Sequence, residues 1–337
     1  MTECRTVTGV KGAAAIRPDR DEGDAMTRPL LAAYPLAPAD PAAERAFYEG
    51  AADLDIAGLE APLPPDDGRH ADPAWLDQVV APAHDLLLTC VPTVMHRRAL
   101  DPGYGLASAD ESGRRRALAD VRRACDLARA LADRSGRPRV LAIEVQSAPG
   151  PLAGSGAALA RSLAEVQEWD RAGSRLVVEH CDALVPGRAP QKGFLPLDAE
   201  IAAVRLLDAG ADGPGIGINW GRSAIEGRSA ATPLEHLRTA ADAGLLATLV
   251  LSGAAAVDGP WGPAWTDAHL PPRGDDPALA NAGSSLLGVE QVRAALDAAG
   301  AGVHLGVKVA PRPSDGDVAD RLALAAATLR VLADARG

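Results

Sequence analysis

Several apolar runs of this 337-residue chain end on, or contain, a side chain able to move a proton or hold an anion. "GLEAP" carries Glu60, and "VLAIEVQ" carries Glu144 and Gln146. "RLVVEHCD" carries Glu179, His180 and Asp182, and "GINWGR" carries Asn219, Trp220 and Arg222. "LGVKV" carries Lys308 inside an otherwise apolar run. Two carboxyl groups serve as general acid and base when their surroundings push their pKa values apart. A lysine or arginine beside them stabilises an oxyanion forming on a substrate. Buried charge must be paired or used, so a set of such residues exceeds what core packing needs.

Each residue also has a plainer reading. Glu60 fits a solvated strand end, and Glu144 fits an ion-pair partner of Lys308 or Arg222. His180 fits a structural role in a loop, and Trp220 fits core packing as well as stacking on a sugar. Ser108 and Asp110 in "GLASADESGRRRAL" fit helix caps. Other chemistry lacks its signature. There is no HxH, HExxH, GxSxG or GxxxxGK[ST], and the glycine-rich "GPGIGIN" runs into a strand rather than opening a helix. A dedicated metal motif is likewise missing.

The elements that must position these residues alternate along the chain. Short Leu-, Val- and Ile-rich runs predict eight strands at 30–36, 55–63, 85–91, 140–146, 175–181, 215–220, 246–253 and 302–309. Between them, Ala/Leu/Arg-rich stretches at helical period predict helices, among them 112–136, 156–173, 197–210, 232–244, 288–300 and 315–335. Thr232 and Pro233 read as a helix start and Gly244 as its stop. Eight strands alternating with helices predict a single (β/α)8 TIM barrel of class α/β. An open doubly wound sheet would need a glycine-rich turn after its first strand, where "APADPAAERAF" stands instead. In a barrel, side chains at the C-terminal strand ends line the site. Side chains alternate along a strand, which puts Glu144 with Gln146 and Glu179 with Cys181 on shared faces, and His180 opposite.

Composition narrows the function classes. The net charge of −11 without a basic cluster argues against nucleic acid and anionic membrane partners. No apolar run is long enough for a spanning helix. Four cysteines, none in a CxxC pair, suggest a reducing cytoplasm. Residues 1–27 read as a disordered extension, with Met26 an alternative start. The barrel domain is expected over 28–337, with a long Gly/Pro/Trp-rich loop at 254–287 that carries His269 and lies over the C-terminal face.

The stretches "LTCVPTVM", "GLASADESGRRRAL", "EVQSAP", "VVEHCDA", "QKGFLPLDAEI" and "GINWGRSAIEGRS" resemble the xylose-isomerase-like TIM barrels, within them a branch known as a domain of unknown function. That superfamily holds sugar isomerases, sugar epimerases and endonuclease-IV-type enzymes. The resemblance implies a divalent metal held by a Glu ending strand five, an Asp ending strand six, a His three residues on, a His on strand seven and a Glu ending strand eight. Glu179 matches the first. Asn219 stands at the Asp, Arg222 at its His, and Lys308 at the last Glu, while "LVLSGAA" has no His. A lysine ammonium and a metal ion exclude each other electrostatically. The usual metal is therefore expected to be absent. A divalent ion held by Glu144 and Glu179 with His180 or His269 is the alternative.

The resulting expectation is a sugar or sugar-acid isomerase or epimerase acting on a small-molecule carbohydrate. Its catalytic residues would be Glu144, Glu179 and Lys308. Glu60, Gln146, His180, Asn219, Trp220, Arg222 and His269 would bind substrate. Two alternatives remain: a lyase or hydrolase of a glycoside or oxidised sugar, and a barrel that binds a sugar without chemistry. A homo-oligomer is compatible with each.

Overall fold

The computed structural model describes residues 28–207, 213–312 and 316–337. The reading of residues 1–27 lies outside the described residues. Eight parallel strands close in sequence order: β1 (Leu30–Ala32), β2 (Gly58–Pro62), β3 (Asp85–Thr89), β4 (Val140–Val145), β5 (Arg175–His180), β6 (Gly215–Asn219), β7 (Leu246–Leu251) and β8 (His304–Val307). β8 returns to β1 with Leu30 opposite Gly306, completing the barrel. Each expected strand is present, trimmed by one to four residues at one or both ends.

The barrel has two apolar layers of different size. Leu30, Leu87, Ala142, Val177 and Ala247 fill its floor. Their outward neighbours, such as Leu31, Leu59, Leu86, Leu176, Val178, Ile216 and Ile218, belong to the large core shared with the helices. Inward positions of β6 are glycines, because the interior has no room there. A side chain at Gly217 would collide with Thr248 and crowd Val177 and Glu144. Few aromatic residues enter the core, which packs mainly through Leu, Val and Ala at the density of protein interiors.

Helices α1 (Pro41–Ala51), α2 (Pro73–Val79), α3 (Val91–Leu100), α4 (Glu111–Ser135), α5 (Gly156–Gln167), α6 (Leu197–Arg205), α7 (Trp220–Gly227), α8 (Thr232–Asp242), α9 (Val289–Ala299) and α10 (Val318–Arg336) surround the strands. Asp40, Asp72, Asp110, Ser155 and Asp317 cap α1, α2, α4, α5 and α10 by accepting from first-turn amides. Thr232 is the first residue of α8 rather than its cap, since the preceding Ala231 closes the turn without a side-chain bond. Gly244, at φ 71, follows its end. The expected helix 156–173 stops at Gln167, because Ala172 and Gly173 take positive φ in the turn to β5. Within 197–210 the helix runs to Arg205, and residues 208–212 lie outside the described ones.

Between β7 and α9 the chain has no α-helix and a single 3-10 turn, Pro277–Leu279. Antiparallel bridges tie Gly253 to Leu270 and Ala255 to Ser285. Trp261 donates its indole N–H to Ala310 O after β8. Asp267 N–H donates to the side-chain Oε1 of Gln191, in the loop after β5, at 3.2 Å. The segment thus ties the loop after β5 to the loop after β8.

Candidate active site

Strand alternation brings inward-facing polar side chains to the barrel mouth. Glu60 comes from β2, Glu144 from β4, Glu179 from β5, Thr248 from β7 and Lys308 from the residue after β8. Glu144, Glu179 and Lys308 are fully buried and Glu60 is 4% exposed. Their fields act on one another: Glu144 senses Glu179, Glu60 and Lys308. The expected catalytic trio therefore converges.

Two ion-paired arms flank the centre. On one side Lys308 Nζ donates to Glu60 Oε1 at 2.6 Å and lies 5.2 Å from the Tyr34 ring centre. On the other, Arg222 reaches in from the first turn of α7. Its Nη1 donates to Glu179 Oε1 at 2.5 Å and to Cys181 Sγ at 3.3 Å, and its Nε to Asp267 Oδ2 at 3.1 Å. Lys192 Nζ, from the loop after β5, meets the same Asp267 oxygen at 2.9 Å. Gln146 Nε2 completes the second arm by donating to Glu179 Oε2 at 3.0 Å.

Protonation follows from these partners. Burial raises the pKa of Glu179, but Arg222 and Lys308, with the bonds from Arg222 and Gln146, overcome it and bring the carboxyl to about 2. Glu144 has no cation in contact. Burial, then the charges of Glu179 and Glu60, hold its pKa well above the usual carboxylate range. Burial lowers Lys308, yet Glu60, Tyr34 and Glu179 keep it charged. Burial, against Asp267, brings His269 down to about 3 and leaves it neutral. Burial, only partly opposed by Lys308, raises the pKa of Glu60 as well, so Glu144 and Glu60 lie above, and Glu179 and Asp267 below, their ordinary values.

Three buried polar atoms here have no partner among the described residues: Glu144 Oε2, Gln146 Oε1 and Asn219 Nδ2. Thr248 Oγ1 donates to Glu144 Oε1 at 2.9 Å, leaving Oε2 free. Asn219 Oδ1 caps α7 by accepting from Arg222 N, which leaves its amide donor free. An unmet buried polar group costs about 1–3 kcal/mol, so three bare atoms suit a polar guest: the Gln146 oxygen accepts, the Asn219 nitrogen donates, and the Glu144 oxygen does one or the other according to its protonation.

Other expected site residues stand elsewhere. Trp220 opens α7 fully buried within the apolar core, so it is not placed to stack on a bound sugar. His180 faces away from Glu179, as alternation requires, and meets Glu200 and Glu226 behind the barrel wall. These two carboxylates, against burial, bring its pKa to about 10. His269 sits at the rim, where Ser252 Oγ lies 3.0 Å from Nδ1. Asp182 accepts from the amides of Gln191 and Lys192 and shapes the loop after β5. Tyr34, Thr248, Lys192 and Asp267 were not expected. Tyr34 lies within an apolar run, and Lys192 and Asp267 come from loops whose direction no periodicity reports.

The donor set at the mouth does not fit a metal ion. Two cations occupy the carboxylates that would ligate it: Arg222 on Glu179 and Lys308 on Glu60. Among the described residues, the one group of three or more metal-ligating side chains in reach of one another is His180, Glu226 and His236, behind the barrel wall.

A family model described as a domain of unknown function, DUF4862, matches residues 30–324. A Salmonella typhimurium protein described as uncharacterised is 37% identical over 257 residues, covering 72% of this chain and 77% of its own length. A putative xylose isomerase from Rhodospirillum rubrum superposes with a TM-score of 0.60 at 12% identity, over 91% of this chain and 98% of that one. The IolI protein, solved with a zinc atom, gives 0.59 at 12%, over 90% and 97%. D-psicose 3-epimerase, solved with D-fructose, gives 0.51 at 14%, over 86% and 93%. These likenesses show the xylose-isomerase-like TIM-barrel fold.

Proposed function

We propose that this chain, which belongs to the DUF4862 family, is a sugar or sugar-acid isomerase or epimerase that works by carboxylate proton transfer. The observation that carries this reading is the pair Glu144 and Glu179. They are fully buried carboxyl groups on adjacent strands, and their surroundings drive their pKa values in opposite directions. The isomerase and epimerase likenesses support the reading at the level of fold.

The chemistry is proton transfer beside a carbonyl. The substrate carbonyl oxygen displaces Glu179 from Arg222 and shares Lys308. Freed of its closest cation, Glu179 becomes a stronger base and takes the proton from the adjacent carbon. The C–H electron pair moves into the new C=C bond, and the carbonyl oxygen takes the negative charge and then a proton from Glu144. For the isomer, Glu179 returns its proton to the former carbonyl carbon while the Glu144 carboxylate takes the proton of the neighbouring hydroxyl, whose oxygen becomes the new carbonyl. For the epimer, Glu144 instead gives its proton to the opposite face of the deprotonated carbon and the original carbonyl re-forms, which leaves Glu179 carrying the abstracted proton. Arg222 and Lys308 stabilise the enediolate. Glu60, Gln146, Asn219 and His269 bind substrate hydroxyls. The reaction is placed in the cytoplasm.

A non-catalytic sugar-binding barrel is the second reading. The complete pairing of Glu60 with Lys308 and of Glu179 with Arg222 favours it. Proton NMR in D2O separates the two. A panel of aldoses, ketoses and uronates is incubated with the protein. Deuterium entering next to the carbonyl, lost in Glu179→Gln and in Glu144→Gln, establishes proton transfer. Saturable sugar binding with no deuterium uptake by any sugar removes the isomerase reading in favour of binding alone.

A further inference from the structure

Behind the barrel wall, three elements bring metal-ligating atoms to one point. His180 ends β5, Glu226 lies near the end of α7, and His236 lies on α8. His180 Nε2 is 3.1 Å from Glu226 Oε2, and His236 Nε2 is 3.6 Å from Glu226 Oε1. The ligand atoms of all three residues lie within 4.8 Å of one another. A tetrahedral zinc ion with bonds of about 2.0–2.1 Å spaces its ligands by about 3.3 Å. The two contacts use different oxygens of Glu226, so the carboxylate spans both imidazole nitrogens at separations on either side of that value.

The far side of each ring is tied in the way metal-ligating histidines need. His180 Nδ1 lies 2.7 Å from Glu200 Oε2, and Glu200 is fully buried. His236 Nδ1 lies 3.0 Å from Ser223 Oγ. Both Nδ1 atoms are thereby engaged and both Nε2 atoms are turned toward Glu226. A carboxylate behind a ligating imidazole fixes its tautomer and raises its basicity. The two rings meet edge to face with centres 4.9 Å apart. The side chains of Glu226 and His236 are 14% and 15% exposed, which leaves one flank open for entry and for a fourth ligand from solvent.

We propose that His180, Glu226 and His236 form a zinc site that clamps β5 to α7 and α8. Two imidazoles and one carboxylate suit zinc over magnesium or calcium, which prefer oxygen alone. The site is separate from the barrel mouth and stands independently of the function proposed above. The site has a consequence for the mouth. α7 carries Arg222 one turn before Glu226, so an ion bound to Glu226 steadies the helix that aims Arg222 at Glu179.

The test uses the full chain, stripped with EDTA, then loaded with zinc or cobalt and dialysed. Expected are one zinc per chain, a rise in melting temperature with zinc, and the visible absorption of four-coordinate cobalt. His236→Gln and Glu226→Gln abolish the cobalt spectrum, and Ser223→Ala weakens zinc binding by about tenfold. Far-UV circular dichroism verifies that each variant is folded. If a variant fails to fold, the cobalt spectrum of the unaltered chain decides. No retained zinc and no cobalt spectrum would mean that the trio is an ion-pair network alone. Zinc retained equally by the folded variants would place the ion elsewhere. Either result overturns the site.

Discussion

Glu179 and Glu144 stand at the ends of neighbouring strands, yet Arg222 Nη1 lies 2.5 Å from the first while the second has only the Thr248 hydroxyl. The asymmetry comes from α7. Its first turn projects Arg222 toward β5, and among the described residues no cation pairs with Glu144 on β4. The pKa of one carboxyl group is therefore driven down and that of the other up within one buried cluster.

Replacing Glu144 by Gln should change the pH dependence of stability. The raised pKa lets the folded chain keep the Glu144 proton to higher pH than the unfolded chain, which releases it near the usual carboxyl pKa of about 4.3. The folded state thus binds more protons above that pH, and this group's contribution to stability falls as pH rises through it. Glu144→Gln keeps the Thr248 bond and removes the penalty. Its melting temperature at pH 7 to 8 should equal or exceed that of the parent, with a flatter decline from pH 5. A clear loss of stability at pH 8 would show that Glu144 is ionised in the fold.

The Lys308–Glu60 pair should behave as a unit. Lys308→Met leaves a carboxylate buried without its partner and should cost about 3–5 kcal/mol. Glu60→Gln combined with Lys308→Met should recover most of that loss. Urea unfolding of the four forms gives the coupling energy. Simple additivity of the single costs would contradict a shared pair.

Gly217→Ala tests the narrow interior. The new methyl group would collide with Thr248 and press on Val177 and Glu144. A cost of about 1–3 kcal/mol is expected from overpacking. A crystal structure or amide shifts should show Thr248 displaced from Glu144. An unchanged melting temperature would mean that the site gives way at no cost.

Asp267 should anchor the segment over the mouth. Asp267→Ala removes a shared partner of Arg222 and Lys192 and leaves both cations less satisfied. We expect cleavage between β7 and α9 by a protease to speed up at least about tenfold, the effect of losing roughly 1.4 kcal/mol of local stability. Cleavage at the parent rate would show that the bridges at Gly253 and Ala255 hold the segment without it.

Much of the barrel was legible along the chain. Eight apolar runs alternating with helical stretches are a local signal, because each strand must fill both the barrel floor and the helix layer. Period-2 alternation also placed Glu144 with Gln146 and Glu179 with Cys181, and turned His180 away from them. Strand ends were less legible, since ladder partners determine where pairing stops. Short helices such as α7 carry too few turns for a strong period.

The sequence by itself determined the element order, the inward carboxylates and the lysine that follows the last strand. Only the tertiary structure decided who meets whom. Lys308 chose Glu60, 248 residues away, Arg222 chose Glu179, and Asp267 came from a loop to bridge Arg222 and Lys192. It also put Trp220 in the core, and His180 beside Glu226 and His236. The physical reason is range. Periodicity records which face a residue takes on its own element, whereas charge pairing and protonation depend on contacts between elements far apart in the chain.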